Sequence, residues 1–181
     1  MREKHSHFEG VVLPHLDRAY SLARWLIEND QDAQTIVQAA YRQARQEFGK
    51  FSEADPRTWL LTIVWKRAHN WIQEGQKRPI VLAKTFPDEP SAAAEDMAGA
   101  SEKALPEAAD QECKRLLWEA VSRLPIEFRE VLVLREIEGW NYNQLVSVLG
   151  IPRSLVVHRL MAARQSLRQE LREARQAHRR E

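Results

Sequence analysis

The chain has 181 residues, enough for one ordinary domain or two small ones, and a hydrophobic content of 44% excludes global disorder. Lys and Arg total 27 against 26 for Asp and Glu, and a net charge of +1 gives no bulk attraction to nucleic acid, so only its distribution can matter. One cysteine, Cys113, excludes an internal disulfide and a thiolate-rich zinc site, and no apolar run approaches the length of a membrane span.

The N-terminus, MREKHSHFEG, lacks the apolar core of a signal peptide, so a soluble, cytoplasmic protein without membrane insertion is expected, its lone thiol inert. His5 and His7 are spaced to chelate a metal weakly, but in a terminus expected to fray they are read as solvated, and no metal or cofactor is predicted. Apolar residues then recur at three- and four-residue spacing, glycine is scarce and β-branched alternation is absent, which predicts an all-α fold. A first helix puts Leu16, Tyr20, Ala23 and Ile27 on one stripe and stops near Asn29-Asp30. A second starts at Asp32 as N-cap and carries Ile36, Val37, Ala40, Ala44 and Phe48 before Gly49 ends it. Asp55-Pro56 supplies a cap and a first-turn proline for a third helix, whose buried side is read as Leu60, Ile63, Val64, Arg67, Ala68 and Trp71.

Pro79 closes this first half. Between Pro79 and Cys113 there are eight acidic residues against two basic ones, with few large apolar side chains, which predicts a flexible acidic linker over 79–111. Helical signals resume with Leu116, Leu117, Val121 and Leu124, then with Phe128, Val131, Leu132, Leu134 and Ile137. Asn141 with Gln144 forms a capping pair for a short helix through Leu145, Val148 and Leu149, and Gly150-Ile151-Pro152 turns the chain into a last, long helix. Helix, tight glycine turn and helix make a helix-turn-helix. The expected architecture is two small helical domains, 1–78 and 112–181, joined by the linker.

Two faces carry candidate chemistry. With Val156, Leu160 and Leu167 assigned to the core, the last helix presents Arg153, Ser154, Val157, His158, Met161 and Arg164 outward. Such side chains suit phosphates, base edges and thymine methyls in a major groove, and they suit an ordinary solvated face equally well. On the third helix, Thr62, Trp65, Lys66 and His69 fall opposite the apolar stripe. Trp65 there either stacks on an unpaired base, with Lys66, Arg57, Lys77 and Arg78 near phosphates, or is covered by a neighbouring helix. There is no glycine-rich phosphate loop, HExxH or GxSxG, and the six histidines are scattered, so neither catalysis nor a small-molecule substrate is expected.

The segment LPIEFREVLVLREIEGWNYNQLVSVLGIPRSLVVHRLMAARQSLRQEL, Leu124 to Leu171, resembles the −35-reading domain of extracytoplasmic-function sigma factors of the sigma-70 family. The pair DAQTIVQAAYRQARQEFGKF and WLLTIVWKRAHNW resembles the domain of that family that grips the polymerase clamp and opens the −10 element. The resemblance implies a non-catalytic transcription-initiation factor whose partners are core RNA polymerase, promoter DNA and an anti-sigma factor. It implies that Asp32, Gln38, Tyr41 and Arg45 meet the polymerase clamp. Trp59, Trp65, Lys66, Arg67, Asn70 and Trp71 would lie on or support the −10-opening surface, and Arg153, Ser154, Val157, His158, Met161 and Arg164 would face the −35 element. Gln34, Thr35 and Ala39 stand where the family carries acids, Lys66 where it carries asparagine, and Leu155, Val157 and Ala163 where it carries a small or basic pattern. These departures motivate a rival reading, a sigma-like protein that mainly binds a regulator such as an anti-sigma factor. A third, a helix-turn-helix repressor with the first half as dimerisation or ligand domain, lacks a clear self-complementary apolar face.

Overall fold

The computed structural model describes residues 2–51, 55–76 and 107–178, and among these every regular element is helical. The first half holds α1 (Arg2–Val12), α2 (Leu16–Leu26), α3 (Asp30–Glu47) and α4 (Pro56–Gln76). The second holds α5 (Glu107–Ser122), α6 (Ile126–Leu132), α7 (Tyr142–Leu149) and α8 (Arg153–His178). The expected linker lies, over 79–106, outside the described residues, and α5 begins at Glu107 within the segment read as linker.

The terminus expected to fray is helix α1. Phe8 and Val12, four residues apart and hence on one face, are both buried, and the Phe8 ring meets Tyr41 at 5.2 Å and Phe48 at 5.1 Å. That contact ties α1 to the end of α3, and His7 sits beside the same cluster, its ring 5.6 Å from Phe48. Helix α3 starts at Asp30, two residues before the expected cap, because Asn29 takes that role: its side-chain oxygen accepts from the N–H of Gln31 at 2.8 Å and of Asp32 at 3.2 Å. Ala33, Ile36, Ala40 and Ala44 form its buried stripe, and the run of alanines brings α3 close to α4. Asp55 caps α4 as read, its carboxylate accepting from the N–H of Arg57 and Thr58 and from the Thr58 hydroxyl. Partial burial alone would raise the Asp55 carboxyl, but these hydrogen bonds outweigh it and leave it below the ordinary value.

In the second half α6 runs into a wider, π-type turn over Val133–Ile137 and Gly139 reverses the chain at φ +72°. The Asn141–Gln144 capping box forms as predicted: the Gln144 N–H donates to Asn141 at 2.9 Å and the Asn141 N–H to Gln144 at 2.8 Å. Gly150, at φ +66°, closes α7 by donating to the Val146 carbonyl at 3.0 Å.

The two halves pack on each other, and one buried cluster runs through both. Trp25 meets Trp118 at 4.7 Å, with the Arg24 guanidinium 4.8 Å from the same indole. Polar pairs cross the junction as well. Arg57 donates to the Glu138 carboxylate at 3.0 Å and to its carbonyl at 2.7 Å, and Arg18 stands 3.9 Å from the same carboxylate. His69 Nδ1 lies 2.6 Å from the carboxylate of Glu130, which is only 3% exposed.

Candidate nucleic-acid and polymerase interface

Helices α7 and α8 meet at 103°, within the range that lets a second helix enter a groove while the first crosses the backbone. The phase of α8 is as predicted: Val156, Leu160 and Ala163 are buried and Leu167 packs partly against them. Arg153, Ser154, His158, Met161 and Arg164 are exposed, Met161 at 65%, and Val157 is half-buried at the margin. An apolar thioether held in water among cations is a poor choice for solubility and a good one for contact with a base or a methyl group.

The two arginines of this face are held differently. The Arg164 guanidinium donates twice to one carboxylate oxygen of Glu136, at 2.6 and 3.2 Å. Arg153 lies with its guanidinium carbon 5.0 Å from the centre of the Tyr142 ring, and Arg135 stands 4.9 Å from that same ring. Neither Tyr142 nor Glu136 was singled out from the sequence, because both lie in the turn and first helix, which periodicity assigns only a supporting role.

On α4, steps of about 100° per residue put Trp59, Lys66 and Asn70 on one stripe. Lys66 and Asn70 are exposed, while Trp59 is half-buried and packs on Phe51 at 4.8 Å. Arg67 is partly buried and donates to Gln43 of α3 at 2.8 Å. Two expectations fail here. Trp65, read as outward, is 6% exposed: its ring lies 5.1 Å from that of His69, one turn on along α4, and His69 in turn meets Glu130 of the second half. The covered reading of this tryptophan is therefore correct. Trp71, read as buried, is 44% exposed, since it shares the phase of the core but sits nearly a turn beyond Ala68, the last buried residue of α4. Arg57, expected near phosphates, is engaged by Glu138, and Lys77 and Arg78 lie outside the described residues.

On α3, Gln38, Tyr41 and Arg45 fall within an arc of about 60°, with Asp32 about a third of a turn away, so these four do not form a single stripe. Gln38 and Arg45 are exposed, whereas Tyr41 is half-buried by its contact with Phe8. The junction residues His69, Glu130, Arg57 and Glu138 escaped the sequence reading as partners, since nothing in a local pattern pairs residues this far apart. The hydrogen bond that the His69 ring shares with the Glu130 carboxylate as acceptor raises the imidazole above its ordinary value against the opposing effect of burial, with Arg159 also opposing and Glu127 assisting. No group of three His, Cys, Asp or Glu among the described residues is placed to hold a metal, and no single helix there is long and apolar enough to cross a membrane.

Residues 11–78 match the family described as Sigma-70 region 2, and residues 114–167 match Sigma-70, region 4. Both matches fall on the half whose geometry suits them, in the order of that family. The chain belongs to the sigma-70 family, as an extracytoplasmic-function sigma factor. As a sigma factor it directs RNA polymerase to promoters. It is 27% identical over 165 residues to the RNA polymerase sigma-H factor of Pseudomonas aeruginosa, covering 88% of this chain and 83% of that one. It is 24% identical over 143 residues to the ECF RNA polymerase sigma-E factor of Escherichia coli, covering 75% and 72%. In fold, this sigma factor is similar to RpoE of Bartonella quintana, solved with the anti-sigma factor NepR, at a TM-score of 0.66 and 18% identity over 92% of this chain and 97% of that one. It is also similar to CnrH, solved with the cytosolic domain of CnrY, at a TM-score of 0.61 and 21% identity over 93% and 90%.

Proposed function

We propose that this sigma factor works without catalysis of its own, in the cytoplasm, by joining core RNA polymerase to two promoter elements through separate faces. A unit over 1–78 takes the polymerase clamp with Asp32, Gln38, Tyr41 and Arg45. The same unit holds the opened −10 strand on Trp59, Lys66, Arg67, Asn70 and Trp71, with Trp65 supporting this surface from within the packing. A unit over 112–181 reads the −35 duplex with Arg153, Ser154, Val157, His158, Met161 and Arg164, and the acidic segment 79–111 links the two. An anti-sigma factor is a further partner of the chain, in keeping with the complexes in which its structural relatives were solved.

The observation that carries this reading is the open face of α8, where basic, hydroxyl and thioether side chains are exposed over a buried Val156–Leu160–Ala163 stripe. Reconstitution with core polymerase and measurement of heparin-resistant open complexes tests it. Replacing Arg153, His158 and Met161 together by alanine is expected to remove promoter selection while leaving polymerase binding intact. Replacing Gln38 and Arg45 is expected to weaken polymerase binding first. Selection unchanged in the first variant would overturn the assignment of the −35 face.

A further inference from the structure

The exposed face of α8 begins with Arg153, and the environment of this residue differs from that of Arg164. The Arg164 guanidinium gives N–H donors to Glu136, so any contact with DNA must compete with a carboxylate. Among the described residues no carboxylate or carbonyl takes a hydrogen bond from Arg153, whose guanidinium lies instead against the ring of Tyr142. A ring attracts the charge of a guanidinium without consuming the N–H donors, which lie in the plane of the group. The tyrosine is itself fixed, as the first residue of α7 behind the Asn141 capping box and half-buried against the core. Arg135, anchored by donation to the Trp140 carbonyl at 2.8 Å, approaches the same ring.

We infer that Tyr142 is a positioning residue for promoter reading: its ring holds Arg153 at the entry of the recognition helix with the donors left for a guanine edge or a phosphate oxygen. This inference rests on the assignment of the α8 face to duplex DNA. Arginine meets a guanine edge through two parallel donors, so an arginine steadied through its flat side loses less freedom on binding than one drawn from solvent. Tyr142 touches no base in this scheme and acts through Arg153.

The test uses the full chain reconstituted with core polymerase and a labelled duplex enriched from a randomised library by the unaltered assembly. Tyr142→Leu is expected to weaken duplex binding about three- to tenfold. Tyr142→Phe, which keeps the ring, should stay within about twofold of the parent. Arg153→Ala should weaken binding at least as much as Tyr142→Leu, and the double variant should bind no worse than Arg153→Ala alone. If the target is a guanine edge, the loss is confined to duplexes with guanine at one position. If it is a phosphate, the loss is uniform across sequences and the slope of log affinity against log salt flattens by about one. An equal loss from Tyr142→Leu in the presence and absence of Arg153 would make the ring a fold support only and overturn the inference while sparing the DNA assignment. No loss from Arg153→Ala would defeat that assignment itself, and the inference with it. Should Tyr142→Leu fail to fold, Arg153→Lys gives the answer from an exposed position, because lysine keeps the charge without the flat face; undiminished binding by that variant would overturn the inference.

Discussion

Helix α4 buries side chains around an arc of about 200°, from Ile63 round to Trp65, whereas the first four turns of α8 bury an arc of about 60° through Val156, Leu160 and Ala163. The difference is one of neighbours. Helix α8 leans on its own half from one side and leaves the other in water, while α4 is enclosed by α2 and α3 on one side and the second half on another. On α4 the surface proposed for the −10 strand is thus limited to the stripe of Trp59, Lys66 and Asn70, the partly buried edge at Arg67 and the overhang at Trp71. That on α8 runs the length of its first turns, so the face proposed for the −35 element is open in the isolated chain and the one proposed for the −10 element is partly taken up by packing.

The largest expected effect tests the enclosure of α4. Trp65→Ala should destabilise the chain by about 3–5 kcal/mol, as removal of a buried indole does, whereas Trp71→Ala should change the melting temperature little and weaken single-strand binding instead. Chemical denaturation of both variants, paired with binding to unpaired −10 strands, checks this. A Trp65→Ala chain of undiminished stability would reopen α4 as a two-sided binding helix.

A second effect, intermediate in size, concerns the seam between the halves. Because the Glu130 hydrogen bond raises the His69 imidazole, the stabilisation from this pair is fully present below the ordinary value of about 6.5 and is lost as pH rises through the raised one. Melting temperatures recorded from acid to mildly alkaline pH should fall across that window in the parent and remain flatter in Glu130→Gln. Equal slopes in the two proteins would remove His69 from the seam.

The smallest effect is on the margin of α8. Val157 is half-buried, so Val157→Lys should leave stability within about 1 kcal/mol while the longer side chain reaches solvent. It should steepen the salt slope of duplex binding by about one if the lysine meets a phosphate. A loss of several kcal/mol would mean that the core arc of α8 is wider than its buried residues indicate.

Helix α8 was legible because one stripe of Val156, Leu160 and Leu167 sets its phase, and the Asn141 box and Gly150 turn are written in adjacent residues. Helix α4 was legible in existence and cap but not in exposure: Trp65 and Trp71 exchanged roles because a neighbour from the other half of the chain, and the end of the core, decide their fate. Helix α1 was missed since charged and histidine residues dilute its apolar signal to Phe8, Val11 and Val12. The pairing of Arg57 with Glu138 and of His69 with Glu130 spans dozens of residues, and no periodic pattern encodes it. The residues proposed for promoter and polymerase contact were chosen by resemblance and by phase, while the groups that hold them, Tyr142 and Glu136, became visible only through distances.

One guanidinium at the seam bears on how the two halves share their order. Buried Arg129 donates to the carbonyls of Ser122, the last residue of α5, and of Leu124 (3.2 Å) just past it, and to the Leu26 carbonyl at the end of α2 at 3.4 Å. Burial pulls this group below the ordinary arginine value, with the Glu28 carboxylate acting against that pull, and an arginine keeps its charge throughout. The carbonyl ends of two helices from different halves, each carrying partial negative charge, therefore share a single cap. Fraying at the end of α2 withdraws a partner from the cap of α5, and the reverse holds as well. The units that the sequence separates by a long acidic stretch thus share a helix cap in addition to the Trp25–Trp118 contact and the Arg57–Glu138 and His69–Glu130 pairs, so that loosening a helix end in one half loosens a helix end in the other.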